Sequence, residues 1–156
     1  MLLLRVSEAL SKARVRHALV GGYAVALHGA VRGTLDIDLV VRLNEKSFVG
    51  AERALRSIGL EPRLPVTARE VFRFREEYIA NRNLMAWSFV NPNLPSELVD
   101  IVLTHDVADL ETKSVRVEGR SIRIVALDDL IEIKLRSGRP QDKEDVRALR
   151  ALKGRQ

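Results

Sequence analysis

Cysteine is absent from the 156-residue chain, so neither a disulfide framework nor a thiolate metal site can be built. No apolar run approaches the roughly 20 residues that a membrane-spanning helix needs. The opening Met1-Leu2-Leu3-Leu4 is too short for a secretory apolar region, and Arg5, Glu8 and Lys12 follow closely. A cytoplasmic protein without membrane association is therefore expected. His17, His28 and His105 have no ligand spacing such as His-x-x-x-His, which argues against zinc. No serine sits in a nucleophile elbow. Internal repeats and low-complexity segments are also missing.

What remains is the composition of an ordinary globular protein, 46% hydrophobic and 30% charged. The length suits a single domain over residues 1–156, large enough to bury a core without staples. The formal net charge is +5 and the pI about 10.0, with arginine far outnumbering lysine. That balance suits a polyanionic partner such as RNA, or an acidic protein. Arginine-rich codon usage with an evenly solvated surface accounts for it equally well, because the arginines form no long block.

The stretch LVGGYAVALHGAVRGTLDIDLVV, residues 19–41, organises the rest. It reads as a buried strand, a Gly21-Gly22 turn, a short helix over residues 23–28, and a second strand over residues 35–41. The glycines allow close approach of a ligand, and N–H groups at the helix start favour an anion there. Asp36 and Asp38 are two apart on a strand, so both carboxylates leave one face while Ile37 and Leu39 enter the other. A phosphate cradle facing paired carboxylates is a layout for a nucleoside triphosphate with magnesium.

The order hydrophobic residue, Gly21-Gly22, thirteen intervening residues, then Asp36-Ile37-Asp38 resembles the signature of the nucleotidyltransferase superfamily with the DNA polymerase β-like catalytic fold. GGYAVALHG followed by Arg32, Thr34 and DIDLVV resembles the AbiEii-toxin-like and minimal nucleotidyltransferase branch. The resemblance implies an α+β fold, a mixed central sheet of about 4–6 strands flanked by helices. It implies an NTP substrate and Mg2+ or Mn2+ held by Asp36, Asp38 and a third carboxylate on a neighbouring strand. It further implies transfer of an NMP to an acceptor hydroxyl on RNA (a tRNA end) or protein, and a toxin–antitoxin setting with a cognate partner protein. A catalytically silent relative that acts by binding is the alternative, and a plain RNA-binding module a weaker one. Gly-Gly stands where many superfamily members have Gly-Ser, as is usual in this branch.

Along the chain, residues 2–13 read as an amphipathic helix and residues 15–20 as the first strand. Arg32 either steadies Asp36 or Asp38, contacts a phosphate, or is surface charge. Asn44 reads as the N-cap of a helix over residues 45–57 ended by Gly59, and Thr67–Glu70 fits a capping box. The segment 71–80 is rich in arginine and aromatics, either an RNA-stacking surface or core packing with charged edges. Strands are expected over 84–90 and 98–104, joined by a turn-rich connection. Asp100 is the one charge in the second of these; it either meets a metal or faces solvent on a half-exposed strand. By resemblance it is the third carboxylate.

The core is expected over residues 1–110, followed by a hairpin and two helices over 114–153, the first capped by Asp128 or Asp129 and the second opened by Pro140. Lys134 and Asp142 lie on apolar stripes and call for partners. They could pair with each other in the interior. The segment LIEIKLRSGRPQDKEDVRAL resembles the C-terminal motif of AbiEii-like proteins, which implies that Lys134 approaches the nucleotide phosphates while Asp142 or Asp145 supports the site. The expected nucleotide contacts are thus Gly21, Gly22, Arg32, Thr34, Lys134 and Asp142.

Overall fold

The computed structural model describes residues 1–33 and 36–155; Thr34, one of the expected nucleotide contacts, lies outside the described residues. In chain order the elements are α1 (Leu2–Lys12), β1 (His17–Val20), α2 (Gly21–Leu27), β2 (Ile37–Val41), α3 (Glu45–Ser57), β3 (Glu61–Pro62), α4 (Ala68–Arg73) and α5 (Arg75–Arg82). They continue with β4 (Ala86–Asn91), β5 (Leu94–Val102), β6 (Thr112–Val117), β7 (Arg120–Val125), α6 (Leu127–Ser137) and α7 (Pro140–Lys153). The strands form one mixed sheet in the order β3-β4-β5-β2-β1-β7-β6. β1 pairs antiparallel with β2 and parallel with β7, and β2 pairs parallel with β5.

The α+β class agrees with expectation, but the sheet has seven strands where about 4–6 were expected. The extra strand is β3, two residues long, too short to carry any alternation. Its Pro62 sits on the sheet edge, where a missing N–H costs no ladder bond.

Alternation sets the two faces. Register partners share a face, so Leu19, Leu39 and Ile101 point one way across β1, β2 and β5, joined by Trp87 of β4. These residues are at most 1% exposed. Trp87 stacks on Phe48 of α3 at 5.6 Å and meets Phe89 edge-on at 4.6 Å, so α3 closes this face. α1 packs beside α3. The opposite face carries Asp38 and Asp100.

The helix ends follow local chemistry. Asn44 accepts from the Ser47 amide at 2.8 Å, and Thr67 and Glu70 form the reciprocal capping box. The expectation for α6 was wrong in detail: Ala126 occupies the cap position and Asp128 and Asp129 lie in the first turn. Asp129 instead accepts from the backbone N–H of Glu111 at 2.7 Å. α6 ends at Gly138 in the left-handed region, φ 66°, and Pro140 opens α7. The arginine–aromatic segment divides at Phe74: Val71 is buried and Phe72 packs edge-on against Phe48, whereas α5 buries none of its residues. No helix among the described residues is long and apolar enough to cross a membrane.

Candidate active site

The parallel β2–β5 pairing places Asp38 beside Asp100 in register. Neighbouring strands lie about 4.8 Å apart, so two carboxylates on one face of adjacent strands are neighbours. The row extends in both directions. On β1 the register partner of Asp38 is Val20, which leads directly into Gly21. On β4 the partner of Asp100 is Ser88, whose hydroxyl donates to Asp100 Oδ1 at 2.5 Å. Four adjacent strands therefore bring Val20, Asp38, Asp100 and Ser88 into one line, with Gly21 next along the chain at the head of α2.

Gly21 is glycine for two physical reasons. Its φ is +76°, a conformation costly for any residue with a Cβ. A Cβ there would also run into the Asp38 carboxylate. The backbone turn and the carboxylate thus occupy one compact corner. Gly22 is buried in the first turn of α2.

Asp36 is exposed and lies just before β2. Asp38 is half-buried, and its pKa is pushed up from 3.8 to about 6. Burial is the main cause, followed by the negative charges of Asp100 and Asp36; Lys134 and Arg139 pull the other way. Two carboxylates that repel each other in a half-dry site fit a hard divalent cation, which oxygen donors prefer. Among the described residues no group of three His, Cys, Asp or Glu side chains converges far enough to hold a metal ion.

Facing Asp38 is a charge network at the α6–α7 junction. Lys134 is 5% exposed, and its ammonium lies 3.3 Å from Asp142 Oδ1 and 3.1 Å from Asp145 Oδ2. The buried ion pair foreseen as one of two roles for Lys134 is present, with Asp145 as an additional partner. Asp142 also accepts from the Arg139 N–H at 3.1 Å and from Arg139 Nε at 2.9 Å. Burial alone would raise the Asp142 pKa, but the hydrogen bonds from Arg139 and Ser137 and the charge of Lys134 bring it down to about 2. Arg32 is half-buried and turns its guanidinium toward the network. It donates from Nε to Asp145 Oδ1 at 3.0 Å and from a terminal N–H to the Gly33 carbonyl.

Of the expected site residues, Gly21, Asp38 and Asp100 come together on the sheet, with Asp36 and Gly22 beside them. Lys134, Asp142 and Arg32 belong to the network opposite. Two residues of this corner were not foreseen. Ser88 is the lone hydroxyl between Trp87 and Phe89; alternation with those two buried rings puts it on the face away from them, but only register reveals its partner. Arg139 was visible as part of an Arg–Asp-rich helix start, without a role.

No family model matches the sequence, and no curated protein matches it. Solved structures do match. The antibiotic-resistance factor ANT(2'')-Ia aligns over 95% of this chain and 80% of its own, with a TM-score of 0.63 and 14% identity. The lincosamide antibiotic adenylyltransferase LnuA aligns over 97% of this chain and 96% of its own, with a TM-score of 0.62 and 14% identity. An antigenic nucleotidyltransferase-like protein from Paracoccidioides brasiliensis aligns over 97% and 74%, with a TM-score of 0.56 and 16% identity.

Proposed function

We propose that this chain, whose fold is that of the polymerase β-like nucleotidyltransferases, transfers a nucleoside monophosphate from an NTP to an acceptor hydroxyl with the help of a divalent metal. The observation that carries the reading is the row of Asp38, Asp100 and Ser88 across three adjacent strands, with Gly21 against Asp38 at the end of β1. Phosphoryl chemistry asks for positioning and charge neutralisation rather than covalent help, and this row supplies both.

Asp36, Asp38 and Asp100 would hold Mg2+ or Mn2+. The ion, when bound, neutralises triphosphate charge and acidifies the attacking hydroxyl. The protein's own groups do the rest. Gly21 and Gly22 let the phosphate chain lie against backbone. Asp100, oriented by Ser88, accepts the proton of the acceptor hydroxyl. The acceptor oxygen bonds to the α-phosphorus, the bond from that phosphorus to the bridging oxygen breaks, and pyrophosphate leaves with the electron pair.

For the acceptor we favour a hydroxyl on RNA, such as a tRNA end, or on protein, because the chain carries a net charge of +5. A toxin–antitoxin setting follows from the AbiEii-like resemblance. Two structural neighbours act on or bind small antibiotics, so small hydroxyl compounds belong in the same screen. The second reading is a catalytically silent binding partner, a chain that takes up nucleotide without turning it over.

One assay separates these. Each labelled NTP is incubated with Mg2+ or Mn2+, total tRNA, a cell lysate and a panel of hydroxylated antibiotics, beside Asp38→Asn. Label moving onto an acceptor with the wild type alone supports the transferase and identifies the acceptor class. Nucleotide binding without transfer to any of them favours the silent partner.

A further inference from the structure

The network opposite Asp38 holds three cations, Arg32, Lys134 and Arg139, against two carboxylates, Asp142 and Asp145. One positive charge is therefore in surplus, and the three cations are placed very differently. The Lys134 side chain is 6% exposed and sits between two carboxylates that are themselves 1% and 3% exposed. To reach a phosphate it would have to leave two buried anions, Asp142 then keeping Arg139 as its cation and Asp145 keeping Arg32 and Gln141. Arg32 is committed to Asp145 and to the Gly33 carbonyl. Arg139 is different: its side chain is 74% exposed.

Among the described residues the guanidinium is held by one of its edges. Nε donates to Asp142 Oδ2 at 2.9 Å and one terminal nitrogen to Asp142 Oδ1 at 3.4 Å, a fork across the carboxylate. Of its five N–H donors, two are used on Asp142. Those remaining lie on the outer edges of a plane whose orientation the Asp142 fork sets. Asp142 is itself pinned by Lys134 beneath and by the Arg139 N–H beside it. The charge also reaches the sheet, since Arg139 and Asp38 interact electrostatically. A planar, pre-oriented, exposed guanidinium suits phosphate oxygens, whereas the Lys134 ammonium is enclosed between two buried carboxylates.

We propose that Arg139, rather than Lys134, is the cation that meets the phosphate chain of the nucleotide, and that Lys134 is a buried post which orients it through Asp142. The assignment rests on the nucleotide-binding reading above and deepens it. Arg139 is a binding residue; Lys134 and Asp142 are positioning residues.

Calorimetric titration of the full chain with ATP, AMP and sodium tripolyphosphate tests this, with thermal unfolding of each variant in parallel. Arg139→Gln should weaken ATP and tripolyphosphate at least tenfold, move AMP by less than twofold, and still fold, with an unfolding temperature lowered less than that of Lys134→Met. Arg139→Lys should fall between, keeping charge and losing the fork. Lys134→Met should unfold at a markedly lower temperature or fail to fold, as expected of a buried post. The proposal is overturned if Arg139→Gln binds ATP like the wild type, or if its ATP and AMP affinities fall together. It is overturned equally if Lys134→Met folds normally and loses more ATP affinity than Arg139→Gln. A wild type that binds neither ATP nor tripolyphosphate, with or without Mg2+, sinks the parent reading and this assignment with it.

Discussion

Asp38→Asn should make the protein more stable while removing its chemistry. In the folded chain Asp38 holds its proton up to a pH of about 6, against an ordinary value of 3.8. Burial and the charges of Asp100 and Asp36 are responsible. The folded state therefore binds this proton more tightly than the unfolded chain. The resulting stabilisation is full below about pH 3.8, falls as pH rises, and is gone above about pH 6. At roughly 1.4 kcal/mol per pH unit, the gap between the two values amounts to about 3 kcal/mol, reduced to about 1–3 kcal/mol by solvent reaching a half-buried group. Asparagine removes the charge and nearly keeps the shape. At pH 8 without divalent ions, the variant should exceed the wild type by about 1–3 kcal/mol in urea unfolding, or several degrees in Tm. The advantage should shrink steadily toward pH 4. Adding Mg2+ should stabilise the wild type more than the variant, since the ion would relieve the same repulsion. A variant no more stable than the wild type at pH 8, or an advantage that does not change with pH, would refute the reasoning.

Other perturbations probe the neighbouring contacts. Ser88→Ala removes the donor that orients Asp100. A loss of about 10–100-fold in transfer rate with an unchanged Tm is expected, because supporting hydrogen bonds at such sites are commonly worth that much. Gly21→Ala combines a positive φ with a side chain that meets Asp38; a loss of at least about 1–3 kcal/mol in unfolding free energy is expected. Asp145→Ala strips Lys134 and Arg32 of a shared partner. About 3–5 kcal/mol of destabilisation is expected from breaking a buried pair on one side, read by denaturant midpoint. Asn44→Ala should cost only about 1 kcal/mol, because it removes a single cap at the start of α3.

Much of this architecture could be read along the chain because its causes are local. Alternation around Asp36-Ile37-Asp38 separates a polar from an apolar face whatever the sheet around it. The Asn44 and Thr67–Glu70 caps and the Gly138-Arg139-Pro140 junction act within a few residues of themselves. The same holds for Gly21, where order and spacing with Asp38 pointed to a turn beside carboxylates. Elements with no local signature were not legible. The two-residue β3 has no pattern, and the cap position of α6 went to Ala126 because Asp129 is drawn off by the Glu111 amide.

Two features needed the fold itself. That Asp38, Asp100 and Ser88 form one row depends on the parallel register of β2 with β5 and the antiparallel register of β5 with β4, pairings set by packing of the whole sheet. The assignment of the cations depended on it too. The sequence placed Lys134 and Asp142 on inward stripes and left two roles open for the lysine. Only the packing of α6 against α7 buries the lysine between two carboxylates and leaves Arg139 outside. Residue type and spacing determined which groups this chain has for its chemistry. Burial, which is a property of the assembled fold, decided which of them a ligand can reach.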